Sequence, residues 1–219
     1  MLRSSFTLAV QLLPAILLVM LGWGFDNLSA FFLNPARAGL AALAFASAAI
    51  AVILRLDFDP LRKGSNPQGH QGFQLGVLLF LSLVLLWFLP FADSRQILTL
   101  QYSYWRYLGL ALLCVGAGVR LFALRALGKH FSAYITLQPD HRLVRDGIYA
   151  HIRHPLYLSL LLLPTGIAFV FNSALAAPIL LLAAAFVMDR IRKEDRILAR
   201  HFGEEFEEYR RHTRALLPA

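Results

Sequence analysis

The apolar residues of this chain are not spread evenly. They fall into blocks of roughly 17 to 25 residues, the length that carries an α-helix across about 30 Å of hydrocarbon. In a chain of 219 residues that is 58% hydrophobic and 16% charged, such blocks constrain the fold more than any other feature. A hydrophobic run of this length has no partner large enough inside so small a soluble domain, whereas a bilayer supplies one. The expected class is therefore an all-α integral membrane protein.

The first run is Phe6 to Phe25, with Pro14 as a kink and Trp23 as an interfacial anchor. Arg3 precedes it, but no small-x-small cleavage site follows, so it reads as a span rather than a signal peptide. Asp26 to Phe32 reads as a loop. Ala38 to Leu54 is the second run, rich in the alanine that lets helices approach closely. The polar stretch Arg55 to Gly72, with Pro60 and Pro67, is a hinge. Phe73 to Phe91 is the third run. Tyr104 to Leu127 is the fourth, opened by Tyr102, Tyr104, Trp105 and Tyr107 at headgroup level. Within it Gly109, Gly116 and Gly118 read as helix-packing positions. Cys114 lies in the same run and is the single cysteine, so no internal disulfide forms.

Leu156 to Phe171 and Ala174 to Met188 are short and separated only by Asn172 and Ser173, which predicts a tight antiparallel hairpin. About six transmembrane helices result. After Met188 the chain turns charged, with Ile191, Ile197, Leu198, Phe202, Phe206 and Tyr209 at apolar positions between charges. This predicts an amphipathic C-terminal helix, divided at Gly203. The acids of the block Gly203 to Tyr209 read as a solvated helix face. No internal repeat or strand pattern is present.

Orientation follows from the cations. With the N terminus inside, only Arg37, Arg95 and Arg106 of the 21 Lys plus Arg fall outside. Both termini are then cytoplasmic. The same placement accounts for the formal charge of +8 through anionic lipid heads, and nucleic acid is not expected as a partner.

Polar chemistry concentrates in two segments on the cytoplasmic side: His141 to Tyr157, HRLVRDGIYAHIRHPLY, and the charged tail. The hairpin should bring Arg153 and His154 within about one helix spacing, roughly 8 to 10 Å, of Asp189 to Glu194. Pro155 suits the first helical turn, His154 is a candidate cap, and the free amides beside Arg153 would seat a carboxylate or phosphate. Arg190 and Glu194 are four apart, so a cation and an anion share one helix face. A site with both signs suits a zwitterionic cofactor better than a metal, and the histidines lack paired ligand spacing, so no metal is expected.

The order LVRDGIYAHIRHPLY, an apolar hairpin, RIRKEDRILARHFGEEFEEY and a closing Leu217-Pro218 resembles the isoprenylcysteine carboxyl methyltransferase family and its relatives among membrane phospholipid methyltransferases. Leu127 to Ser132 resembles the segment that precedes this order in the family. The resemblance covers about the last 100 residues. It divides the chain into an N-terminal four-span region, 1–127, and a methyltransferase core, 128–219, made of strap, hairpin and C-terminal helix.

The resemblance implies S-adenosyl-L-methionine as methyl donor. Carried over by motif, the cofactor-binding residues are His141, Leu143, Val144, Tyr149, His154, Pro155, Tyr157 and Glu194. Arg190 falls where the family contacts the acceptor carboxylate and is the catalytic residue. Ser159 stands where the family has Gly, and Asp195 replaces the second Glu of a pair. The acceptor implied is hydrophobic or lipid-borne, dissolved in the bilayer. An amine acceptor would need a base, with His154 and Asp189 as local candidates. Amine or thiol methylation on the same scaffold, an NADPH-dependent membrane reductase and a non-catalytic membrane subunit are the alternatives. A prokaryotic cell membrane is the simplest location.

Overall fold

The computed structural model describes residues 14–53, 71–100, 102–128 and 143–217. Its α-helices are α1, described over Pro14–Trp23, then α2 (Leu28–Leu33), α3 (Pro35–Ile53), α4 (Gln71–Ser94), α5 (Tyr104–Leu127), α6 (Pro155–Val170), α7 (Ala177–Phe202) and α8 (Glu204–His212). Extended pairing among the described residues is limited to the isolated bridges Thr99 with Ser173 and Ile152 with Arg214. The fold is all-α.

Four helices, α3, α4, α5 and α7, are long and apolar enough to cross a membrane. The pair α1 and α2 makes a fifth if its 82° bend is taken as one broken span. α6 is apolar but has only 16 residues, about 24 Å at 1.5 Å per residue. The start of the first run and the polar hinge, apart from its last residues, lie outside the described residues.

Two expectations about the first run need correction. Asp26 to Phe32 is not a loop: a 3-10 turn over Phe25–Asn27 leads into α2, and the chain turns at Gly24, whose φ of 103° only glycine adopts readily. The reason is burial. Phe31 packs edge-on against Trp23, ring centroids 5.5 Å apart. Trp23 is accordingly not an interfacial anchor; it is 8% exposed in a core with Leu85, Leu89 and Phe171 and donates from Nε1 to the Asn27 carbonyl at 2.9 Å. α3 begins at Pro35 because the Asn34 side chain accepts from the amide of Ala36 at 3.1 Å.

α5 and α6 run antiparallel and pack more extensively than any other described pair. A Cβ on Gly109 would lie 2.6 Å from the Gly166 carbonyl oxygen and the Val170 nitrogen. These glycines let the two backbones touch, as small residues do between membrane helices. Gly116 faces Leu162 and Leu163 in the same seam, whereas Gly118 faces open space. The closest partner of α6 is thus α5, although its chain neighbour across the turn Phe171 to Ser173 is α7.

At the end where α4 stops and α5 starts, Arg106 grips Asp93 with both terminal nitrogens, at 2.7 and 2.6 Å, and donates to the Val170 carbonyl at 2.6 Å. Arg37 lies 3.8 Å from the same carboxylate, its guanidinium 4.2 Å above the Trp23 ring. The turn after α6 is stitched to the segment before α5: the Leu100 amide donates to the Asn172 carbonyl at 2.7 Å, and Asn172 Nδ2 to the Leu100 carbonyl at 2.8 Å. The three arginines on the sparsely charged side of the chain therefore gather at one end, two of them spent on a buried carboxylate.

The last apolar run and the charged stretch after Met188 are continuous in α7. It is one helix of 26 residues, because the charged stretch consists of good helix formers and meets no glycine before Gly203. There φ reaches 55° and the helix ends, with α8 starting at once.

Candidate functional site

At the opposite end, the first turn of α6 meets the charged half of α7. Pro155 occupies the first helical turn and His154 the capping position, but no side-chain cap bond forms. The His154 ring turns instead to α7, where Nε2 lies 2.8 Å from Asp195 Oδ1 and Nδ1 lies 4.0 Å from Glu194 Oε1. It is 4% exposed. Asp195, noted in the sequence only as a departure, is thus the fixed partner of the strap histidine.

Arg153 is not free to seat an anion. Its guanidinium donates to the carbonyls of Thr213 and Arg210 and lies 3.6 Å from Asp195 Oδ2. The helix-start amides expected to bind a carboxylate are partly spent as well: the amides of Arg153 and His154 donate to Arg214 and Ala215 at 2.9 Å.

One turn into α6, Tyr157 receives a hydrogen bond from Arg190 Nε at 3.3 Å. Arg190 is 3% exposed, deep for a guanidinium. Glu194, one turn further along α7, acts electrostatically on both Tyr157 and Tyr149. Burial, with the charge of Glu194 adding to it, pushes the Tyr149 phenol well up, so it stays a neutral donor. Tyr149, His154, Pro155, Tyr157, Arg190 and Glu194 therefore form one cluster. Ser159, fully buried, uses its hydroxyl on the Leu156 carbonyl at 2.7 Å, which keeps the position small and without an unmet polar group.

Leu143 and Val144 sit apart from that cluster, on a cleft of about 680 Å³ that they line with Phe122, Arg125, Ala126, Asp146, Gly147 and Ile148. The strap joins the two places, since Ile148 lines the cleft and Tyr149 is buried in the cluster. His141 lies outside the described residues.

Asp189, a candidate base for an amine, is tied down: Gln74 Nε2 of α4 donates to its Oδ2 at 2.6 Å, and Lys193 Nζ lies 2.6 Å from the same oxygen. Gln74 carried no sequence signal, being one polar residue at the start of an apolar run. Tyr209 was legible only as an apolar position, yet its hydroxyl donates to the Tyr149 carbonyl at 2.7 Å.

The seam of α5 with α6, the strap and α7 coincide with a known pattern. A profile of the isoprenylcysteine carboxyl methyltransferase (ICMT) family matches residues 109–200. Residues 109–200 carry the pattern of that family. The chain is similar to the protein-S-isoprenylcysteine O-methyltransferase of Schizosaccharomyces pombe, 30% identical over 53% of this chain and 51% of that protein. It is also similar to that of Saccharomyces cerevisiae, 32% identical over 47% and 44%. The cobalt-zinc-cadmium resistance protein CzcN of Cupriavidus metallidurans is 35% identical over 53% and 55%. The chain spans about half the length of these curated relatives. Of the matched segment, α5 supplies the packing seam, and the strap and α7 supply the polar residues.

Proposed function

We propose that the chain is a membrane-embedded methyltransferase that uses S-adenosyl-L-methionine to methylate a carboxylate of a hydrophobic or lipid-borne acceptor. The observation that carries this reading is the buried arginine of α7: Arg190 and Glu194 hold opposite charges one turn apart, both beside Tyr157, in the segment that matches the ICMT family.

The donor fits the residues present. Phe122, Ala126, Leu143, Val144 and Ile148 give the cleft an apolar wall suited to an adenine ring, while Arg125 and Asp146 bring both signs to its rim, as an amino-acid zwitterion requires. When bound, the sulfonium supplies an electrophilic methyl group. The protein then has to align and dry rather than to move protons. A carboxylate acceptor is already ionised and needs no base, and the guanidinium of Arg190, its Nε on Tyr157, would orient it. Glu194, in the neighbouring cluster, would face the donor's sulfonium with an anion. The low exposure of Arg190 and His154 keeps water from competing at that end of the cluster. An amine acceptor would need a base; Asp189 is engaged by Gln74 and Lys193, which leaves His154, paired with Asp195, as the candidate.

On this reading the chain crosses the membrane about six times, with strap, α8 and both termini on the cytoplasmic side. Calorimetric titration of S-adenosylhomocysteine and, separately, NADPH into the detergent-solubilised protein tests the assignment. Binding of the first alone is expected. Binding of NADPH alone would make the protein a reductase, and binding of neither a non-catalytic subunit.

A further inference from the structure

The strap that walls the cleft does little to hold itself. From Asp146 to His154 its internal bonds are those of a single turn, Tyr149 N to Asp146 O and His151 N to Ile148 O at 3.2 Å and Ile152 N to Ile148 O at 3.1 Å, and Gly147 sits at φ 61°. A segment so poor in its own hydrogen bonds takes its shape from whatever grips it. The grip comes from 60 residues further along the chain, where the Tyr209 hydroxyl meets the Tyr149 carbonyl.

α8 is built for this. Phe206, Tyr209 and Thr213, spaced as one helix face, are 0%, 8% and 5% exposed, while Glu204, Glu205, Glu208 and Arg211 face outward. The Thr213 hydroxyl donates back to the Tyr209 carbonyl at 2.7 Å, closing the helix end. Beyond it the chain lies along the strap, its carbonyls receiving the amides of Arg153 and His154. These tail contacts are made by backbone, so they register the position of the tail rather than the identity of its side chains.

We propose that α8 and the residues after it form a clasp that holds the strap in its binding shape, with Tyr209 as a positioning residue for the methyl donor. The hydroxyl of Tyr209 pins Tyr149, and the three residues just before Tyr149 line the cleft, so the clasp sets the cleft wall from behind. The inference rests on the reading of that cleft as the donor site.

The test is Tyr209→Phe in the full-length protein, which removes one hydroxyl and keeps the ring. Amide exchange of Ile148 to Ile152 should quicken, and S-adenosylhomocysteine affinity should fall about fivefold to tenfold, the equivalent of one lost hydrogen bond. The KM for the donor should rise by a similar factor, with the acceptor KM unchanged and kcat restored at saturating donor. A merely structural loss would lower the number of active molecules at every donor concentration and leave both KM values alone. Unchanged strap exchange, or faster exchange with unchanged donor affinity, overturns the clasp. A wild-type protein that binds no S-adenosylhomocysteine overturns instead the methyltransferase reading.

Discussion

His154 and Asp195 face each other at 2.8 Å across the gap between α6 and α7, and the histidine ring has hardly any solvent to fall back on. Asp195→Ala would leave that ring nitrogen buried without a partner, a loss of about 1 to 3 kcal/mol. Asp195→Asn keeps an acceptor and should lose less. Unfolding in detergent, followed by intrinsic fluorescence, ranks the three proteins. Identical stabilities would mean that water replaces the carboxylate freely.

Donor and acceptor functions should separate on α7. Glu194→Gln removes a charge from beside the proposed donor site and should weaken S-adenosylhomocysteine binding by about 1.5 to 3 kcal/mol. Arg190→Lys keeps its charge but loses the planar fork, so donor binding should hold while transfer slows. Titration of the donor analogue into wild type and both variants checks this. Equal affinity in all three would remove Glu194 from the donor site.

The glycines of α5 offer a paired test of packing. Gly109→Ala puts a methyl 2.6 Å from the backbone of α6 and should destabilise by about 1 to 3 kcal/mol through overpacking. Gly118→Ala meets nothing within 4 Å and should stabilise its helix by about 0.5 to 1 kcal/mol. Thermal unfolding of the two variants should therefore move in opposite directions.

At the far end, Asp93→Asn should be far more damaging than Arg95→Ala. The first leaves Arg106 and Arg37 facing each other with no carboxylate, and breaking a buried pair costs about 3 to 5 kcal/mol. The second loses a guanidinium stacked 4.0 Å from Phe91, worth about 0.5 to 1 kcal/mol, and its bonds to the Ser94 hydroxyl at 3.1 Å and the Gly22 carbonyl at 3.5 Å, which water can replace. Comparable losses would show that the buried carboxylate is not the keystone of that end.

Topology is open to cysteine labelling after Cys114 is replaced by serine. Ile97→Cys and Arg211→Cys both present exposed positions. A membrane-impermeant thiol reagent added to intact cells should label the first and spare the second. The reverse pattern would invert the protein and place the site outside.

Much of this architecture was legible as runs of apolar residues: the fourth run coincides with α5 at both ends, and the runs for α3, α4 and α6 differ by a few residues at their termini. Hydropathy reports burial from water, so it could not tell lipid from protein around Trp23, nor see that a polar loop would coil at α2 once Phe31 had a ring to pack on. The site was legible where spacing carried it, as with Arg190 and Glu194 on one face. It was illegible where partners come from remote chain. Nothing local in the sequence assigns Asp195 to His154, Gln74 to Asp189, or the Tyr209 hydroxyl to a strap carbonyl, because the partners stand 41, 115 and 60 residues apart and meet only once the helices have packed.

The unbroken course of α7 makes the protein a ruler. Leu181 and Leu182 lie exposed on its apolar half, and Arg190, on the same rigid rod, stands 13 residues beyond Ala177, about 20 Å along the axis. A helix without a hinge between these points fixes the depth at which the guanidinium rides relative to the acyl chains. On the proposed role of Arg190, acceptors would be sorted by where their charged head floats in the bilayer, and a long or a short tail would be equally acceptable provided it leaves that head at the right height.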